Sequence, residues 1–285
     1  MAETRSSSVD ELAARVPDGA SVTVNKGEET DVPMALAMAL VRRGVRGLHV
    51  VTLPTCAYPA SGMMIDLLIG AGCVASVETS GISMHELGAA PRFCQALKAG
   101  TLKALDATCP AIYAALQAGA KGQPFAPLRG LIGSDLLHHR SDWRVIDNPF
   151  VPGDPVALVP ATNADFAIFH ATKADAEGNV WVGRGRDRVL AAHAAGTTLV
   201  TVEEVVSGSF FDDEAISAGV IPAHLVEGIA VVPGGCWPMD AAGGVDLEAV
   251  REYQQAARSD EAFAAWVQAH VYAPFEARGP AIVVA

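Results

Sequence analysis

Two carboxylates and two polar loops hold the groups through which this 285-residue chain can do chemistry. Glu78 follows the apolar run of residues 73–77 and is a candidate nucleophile; Asp106 ends the short run around Ala104 and is a candidate general base. The loop Asn25-Lys26-Gly27-Glu28-Glu29 combines a cation for anion binding with backbone N–H groups able to stabilise a developing oxyanion. Glu28 and Glu29 oppose an anion if they turn inward, and otherwise leave an ordinary solvated turn. In the second loop, Ser80, Gly81 and Ser83 offer hydroxyl and backbone donors to a substrate carboxylate, with His85 and Glu86 just beyond. Its plain alternative is a polar loop that caps the next helix. For Asp106 the alternative is N-capping of a helix over residues 111–118.

Other motifs carry less. Cys109 has no histidine beside it in sequence and so no activating base. His138-His139, read on a strand, point to opposite faces, and no third ligand sits at metal-site spacing, so no metal is expected. Gly183-Arg184-Gly185-Arg186 resembles a phosphate-gripping turn but lacks the wider glycine pattern. Glu203-Glu204 reads most simply as hydrogen bonding near a strand end.

These groups need a scaffold, and the chain supplies an alternating one. Ser8 and Glu11 form a capping box for a helix ending about Val16. Strands are expected at 21–24, 48–53 and 73–77, with helices at about 33–43, 62–69, 90–97 and 111–118. The recurrence of strand, loop and helix every 25 to 30 residues or so argues for parallel strands with right-handed crossovers. Residues 164–208 hold a strand at 166–170, a Gly178-Asn179 hairpin signal, a return strand at 180–182, a helix over 187–195 and a strand at 197–202. Two helices, 247–257 and 260–269, close the chain. The expected fold is α/β, a mostly parallel open sheet with helices on both faces, in a single domain over 1–285 with residues 1–8 disordered. Loops after strand C-termini converge on one crevice in such sheets, which selects those after Val24, Leu53, Val77 and Ala104.

Composition bounds the function. Half the residues are hydrophobic (51%) and few are aromatic (6%), which suits helices packed on parallel strands. A net charge of −12 argues against nucleic acid or an anionic membrane as the main partner. Five widely spaced cysteines without a CxxC read as reduced thiols of a cytoplasmic protein. Residues 1–8 hold no apolar signal segment, and no apolar run approaches a membrane span.

The stretch ADFAIFHATKADAEGNV followed by TVEEVV resembles the A (α) subunit of class I CoA-transferases of the glutaconate CoA-transferase type. So do DLLIGAG (66–72), GAAPRF (88–93), PFAPLRGLIGSD (124–135) and REYQQAARSDEAFAAW (251–266), in the family's order. The resemblance covers about residues 9–271. It implies a CoA-transferase-like fold and a substrate-binding set of Asn25, Lys26, Gly27, Ser80, Gly81, Ser83 and His85. Departures accompany it. Only Gly27 remains of a glycine-rich loop, SGISMH replaces a GYVGFE-like segment with His85 where an acid is common, and Cys236-Trp237-Pro238 stands where a His-Pro pair is usual.

The family implication is an acyl-CoA:carboxylate CoA-transferase whose nucleophilic glutamate belongs to a separate β subunit, with α2β2 assembly and no permanent cofactor beyond the coenzyme A thioester substrate. The lack of a convincing nucleophile here agrees with that division, Glu78 and Asp106 being the weak candidates. The negative charge then requires a local basic site or a partner that holds most of the polyanionic CoA. Two alternatives stay open: a CoA-ester hydrolase subunit opening a cyclic keto-acyl-CoA with Asp106 activating water, and a non-catalytic ligand-binding or assembly subunit.

Overall fold

In the computed structural model of the chain, residues 7–28 and 30–273 are described. The expected disorder of residues 1–6 and the reading of Glu29 lie outside them; Ser7 and Ser8 do not. Ser7 N–H donates to the Ile229 carbonyl at 3.0 Å. Ser8 caps α1 (Val9–Ala14), with both halves of the capping box with Glu11 present.

The first half repeats one unit: β1 (Ser21–Asn25), α2 (Met34–Arg43), β2 (Leu48–Leu53), α3 (Pro59–Gly70), β3 (Val74–Thr79), α4 (Pro91–Ala99), β4 (Lys103–Asp106) and α5 (Cys109–Ala120). Helix ends follow local chemistry: α2 and α4 stop at Gly44 and Gly100 in the left-handed region, and Pro59 and Pro91 open α3 and α4. The small second sheet follows, with β5 (Phe125–Leu128), α6 (Leu136–His139), β6 (Arg144–Asp147) and β7 (Pro155–Pro160) paired antiparallel in the order β5-β7-β6. The chain then returns to the main sheet with β8 (Ala164–Asp175), β9 (Val180–Trp181), α7 (Arg186–Ala194), β10 (Ala195–Val206), α8 (Glu214–Ser217), β11 (Val220–Ile221) and β12 (Gly228–Val231). Helices α9 (Leu247–Ala256) and α10 (Asp260–His270) close it.

In the main sheet β1, β2, β3 and β4 run outward in one direction, while β8 lies on the other side of β1 and carries β10 and then β12, all parallel. The β9 hairpin at Gly178 and its partner β11 are antiparallel. Strand order therefore reverses between β1 and β8. Helices α2, α3, α9 and α10 bury their apolar residues with Val22, Val24 and Val50 on one face. Helices α5 and α7 pack with Leu53 and Ala167 on the other, where Ala157 and Val159 of the small sheet join them. Tyr253 of α9 donates to Asp66 Oδ2 at 2.9 Å, and Asp66 Oδ1 accepts the Phe93 N–H at 2.7 Å, so one buried carboxyl ties three helices. Among the described residues no helix is long and apolar enough to cross a membrane.

Two local readings are corrected. His138 and His139 lie in the short helix α6, not on a strand. Asp106 does not cap α5: Thr108 does, its Oγ1 accepting the Ala111 N–H at 3.3 Å.

Candidate functional site

Strand order reverses between β1 and β8, the place where sheets of this kind set their ligand crevice, and the loops after β1, β2 and β3 follow the strand ends on that side. Asn25 ends β1. Its register partner on β2 is Leu53, whose side chain belongs to the α5/α7 side of the sheet, so Asn25 points the same way. It is 1% exposed, and neither Oδ1 nor Nδ2 has a hydrogen-bond partner among the described residues.

The next residue reaches across to α7. Lys26 Nζ lies 2.5 Å from Glu28 Oε2 and 3.5 Å from Asp187 Oδ2. A tyrosine stands by each acid: Tyr58 Oη donates to Glu28 Oε1 at 2.5 Å, and the Tyr113 hydroxyl on α5 faces Asp187. Burial pulls the Lys26 ammonium down, but the Glu28 hydrogen bond and the Asp187 charge outweigh it and leave its pKa raised. The Lys26 and Tyr58 hydrogen bonds hold the Glu28 carboxyl below its ordinary range. Both tyrosines are pushed up, Tyr58 chiefly by Glu28 and Tyr113 chiefly by burial. One ammonium, two carboxylates and two neutral hydroxyls thus form a single network at the crevice.

Gly27 lets this loop lie on α3. At φ 81° its missing Cβ would stand 3.0 Å from Ser61 Cβ and Val32 Cγ2. Ser61 Oγ completes the contact by donating to the Lys26 carbonyl at 2.5 Å. The second loop is braced in the same way. Gly81 N–H donates to Thr79 Oγ1 at 3.0 Å, and the Gly81 carbonyl accepts from Thr55 Oγ1 at 2.6 Å. Ser83 N–H donates to the Cys56 carbonyl, and Ser83 Oγ meets the Ala57 carbonyl at 3.4 Å. Ser80 Oγ donates to the Pro54 carbonyl and accepts from the exposed Cys109 thiol at 3.2 Å. His85 sits at φ 52°, exposed, with its ring stacked on Tyr58 at 5.7 Å and 6°.

Sequence reasoning selected Asn25, Lys26, Gly27, Ser80, Gly81, Ser83 and His85. Lys26 and His85 are joined through Glu28 and Tyr58, while Gly81 and Ser83 direct their polar groups to Thr79 and to the neighbouring loop at Thr55, Cys56 and Ala57. Tyr58, Tyr113 and Asp187 were missed. Asp187 left one signal, an acid in the first turn of a helix.

The two candidate acids stand apart from this network. Arg140 Nη2 lies 2.8 Å from Glu78 Oε1, and its Nη1 donates to the Asp106 carbonyl at 3.1 Å. The guanidinium lies over the Trp143 ring at 4.3 Å and is almost wholly buried. Glu78 is therefore one half of an ion pair. Asp106 has an exposed side chain at the end of the edge strand β4. Behind the crevice, His170 Nε2 meets Glu203 Oε1 at 2.9 Å, Glu203 Oε2 accepts the Gly234 N–H, and the Cys236 thiol faces the same carboxylate. His170 Nδ1 is satisfied by Thr201 Oγ1, so the three side chains form a closed hydrogen-bonded set in the core.

A family model described as Coenzyme A transferase matches residues 6–231. The A chain of the 3-oxoadipate CoA-transferase of Pseudomonas knackmussii is 32% identical over 263 residues, covering 90% of this chain and 89% of that one. The cholesterol ring-cleaving hydrolase IpdA subunit of Rhodococcus jostii is 26% identical, covering 93% and 91%. Among solved structures, glutaconate coenzyme A-transferase from Acidaminococcus fermentans superposes with a TM-score of 0.83 at 26% identity, covering 94% of this chain and 89% of that one.

Proposed function

The chain belongs to the coenzyme A transferase family, and from that premise we propose that it is the A-type subunit of a two-chain acyl-CoA:carboxylate CoA-transferase. It forms one wall of an active site whose attacking glutamate comes from a B-type subunit, in an α2β2 assembly. The observation that carries this reading is the state of the acids at the crevice. Glu28 is held between Lys26 and Tyr58, Asp187 between Lys26 and Tyr113, and Glu78 by Arg140. A carboxylate already committed to a cation is a poor nucleophile, which supports, with the family resemblance, an attacking oxygen carried by another chain.

In the reaction the partner's glutamate oxygen attacks the thioester carbonyl. The C–S bond breaks, CoA leaves as thiolate, and an acyl-glutamyl anhydride forms. The thiolate then attacks the glutamyl carbonyl, releasing the first carboxylate and leaving a glutamyl-CoA thioester. An acceptor carboxylate runs the two steps in reverse. This chain supplies Asn25 and the Lys26 network beside the reacting acyl group, and no permanent cofactor. Its five unpaired thiols support a reducing, cytoplasmic setting.

The likeness to the IpdA subunit supports, less strongly, a hydrolase in which an acid such as Asp106 activates water. One assay separates the two. The chain is purified alone and with its B-type partner and given acyl-CoA with and without an acceptor acid. Exchange that needs both partner and acceptor, with a borohydride-reducible glutamyl thioester on the partner, supports the transferase. Steady CoA release without acceptor supports the hydrolase, and full exchange by this chain alone rejects the shared site.

A further inference from the structure

We infer that the acyl subsite of this chain selects an acyl group bearing a neutral hydroxyl rather than a second carboxylate. The inference rests on the transferase reading above and deepens it. Its first support is Asn25. A buried side-chain amide with both polar atoms unpaired is rare in a folded protein, where burial without partners is costly. Asn25 occupies the last position of β1 at the strand-order reversal, on the face covered by α5 and α7, so the partner it lacks fits a ligand in the crevice. An amide presents a donor and an acceptor side by side. A hydroxyl can answer both. A carboxylate can only accept, and would set an anionic oxygen against Asn25 Oδ1.

The second support is charge. Lys26, next to Asn25, is claimed by both Glu28 and Asp187. Among the described residues, Glu28 and Asp187 thus share this one ammonium. Neither the Tyr58 hydroxyl bonded to Glu28 nor the Tyr113 hydroxyl facing Asp187 adds positive charge. Of the arginines that flank Asp187, Arg186 Nη1 donates to Ala218 O and Arg188 Nη2 to Val182 O. A dicarboxylate would bring its distal charge up against two carboxylates that already occupy Lys26, whereas a hydroxyl brings a donor to them. His85 faces Tyr58 and is the other titratable ring on the rim.

The test uses the two-chain enzyme, co-expressed with its B-type partner, acetate as acceptor, and CoA thioesters of equal chain length. These are 3-hydroxybutyryl-, 4-hydroxybutyryl-, butyryl- and succinyl-CoA. We expect kcat/KM for one hydroxyacyl thioester to exceed that for butyryl-CoA by at least tenfold, with succinyl-CoA the poorest. Asn25→Leu should bring the hydroxyacyl-to-butyryl ratio to near one. The Glu28→Gln/Asp187→Asn pair should raise the succinyl-to-hydroxyacyl ratio at least tenfold, a second reading that does not depend on Asn25. Succinyl-CoA as the best substrate, or ratios unmoved in both variants, overturns this inference and leaves the transferase intact. Failure to turn over any of the four overturns the transferase reading and this inference with it.

Discussion

Arg140 Nη2 and Glu78 Oε1 stand 2.8 Å apart at the end of β3, with the guanidinium 4% exposed and the carboxylate 16%. The pair joins the main sheet to the connection between β5 and β6 of the small one, because Arg140 also holds the Asp106 carbonyl and Asp142. Removing one member of a buried pair leaves the other uncompensated. Arg140→Ala should therefore cost about 3 kcal/mol of unfolding free energy, by the usual penalty for such a break. Urea denaturation of the isolated chain measures it. Glu78→Gln keeps a hydrogen bond to the guanidinium, and turnover should survive it. A loss of more than a thousandfold at unchanged stability would restore Glu78 as a catalytic candidate.

Gly62 tests the bracing of the second loop. A Cβ there would stand 1.9 Å from the Ser83 carbonyl oxygen, a backbone atom that can yield only if residues 80–85 move. Gly62→Ala should cost roughly 1–3 kcal/mol, the range for overpacking a filled interior. It should also lower turnover by shifting Ser80 and the Tyr58–His85 stack. Unchanged thermal stability and unchanged turnover together would show that the loop gives way freely.

Much of the scaffold was legible because each element carries its own signal. Gly44 and Gly100 end helices, Ser8 with Glu11 starts one, and Gly178 turns the β8–β9 hairpin at φ 90°. Those features are local, and local patterns survive in a single sequence. The capping of α5 was misread by two positions, since Asp106 and Thr108 are both good caps and only backbone geometry distinguishes them. The site was half legible. Asn25 and Lys26 lie at a strand end where the topology directs ligands, but Tyr58, Tyr113 and Asp187 reach them across folded space. Nothing in the order of residues announces that Lys26 will meet an acid on α7. The fate of Glu78 was hidden for the same reason, its partner being decided by the small sheet's return path.

Asp66 gives a pH dependence with a definite sign. Burial raises its pKa to about 6, against the Phe93 N–H and Tyr253 hydroxyl bonds that favour its ionised form. The folded state therefore holds a proton that the unfolded chain, with an ordinary value of 3.8, has already released. Asp66's share of stability is complete below the unfolded value and falls as pH rises through about 6. A shift of this size corresponds to roughly 3 kcal/mol between the two limits. Stability curves of the wild type and Asp66→Asn, measured from pH 4 to about pH 7, should diverge through this window. Parallel curves would mean that Asp66 titrates alike in both states.

Lys26 is the position where structure and chemistry are most closely joined. Lys26→Met keeps the length of the side chain and removes its charge, so Glu28 and Asp187 lose the ammonium they share, and Glu28 keeps the Tyr58 hydroxyl. The crevice rim then loses one positive charge, and a polyanionic CoA thioester approaches it against a stronger field. Hydrogen bonds to charged groups are worth about 1.5–3 kcal/mol, so kcat/KM should fall by about tenfold or more, mainly through KM. Glu28 reports the same change independently of turnover. Its carboxyl is held low first by Lys26 and then by Tyr58, so losing the ammonium should move its titration upward, visible by carboxyl carbon NMR. Lys26→Arg, which restores the charge, should bring the Glu28 titration back down. If KM and the Glu28 titration both stay in place in Lys26→Met, the ammonium is a surface charge and the network does not shape the site.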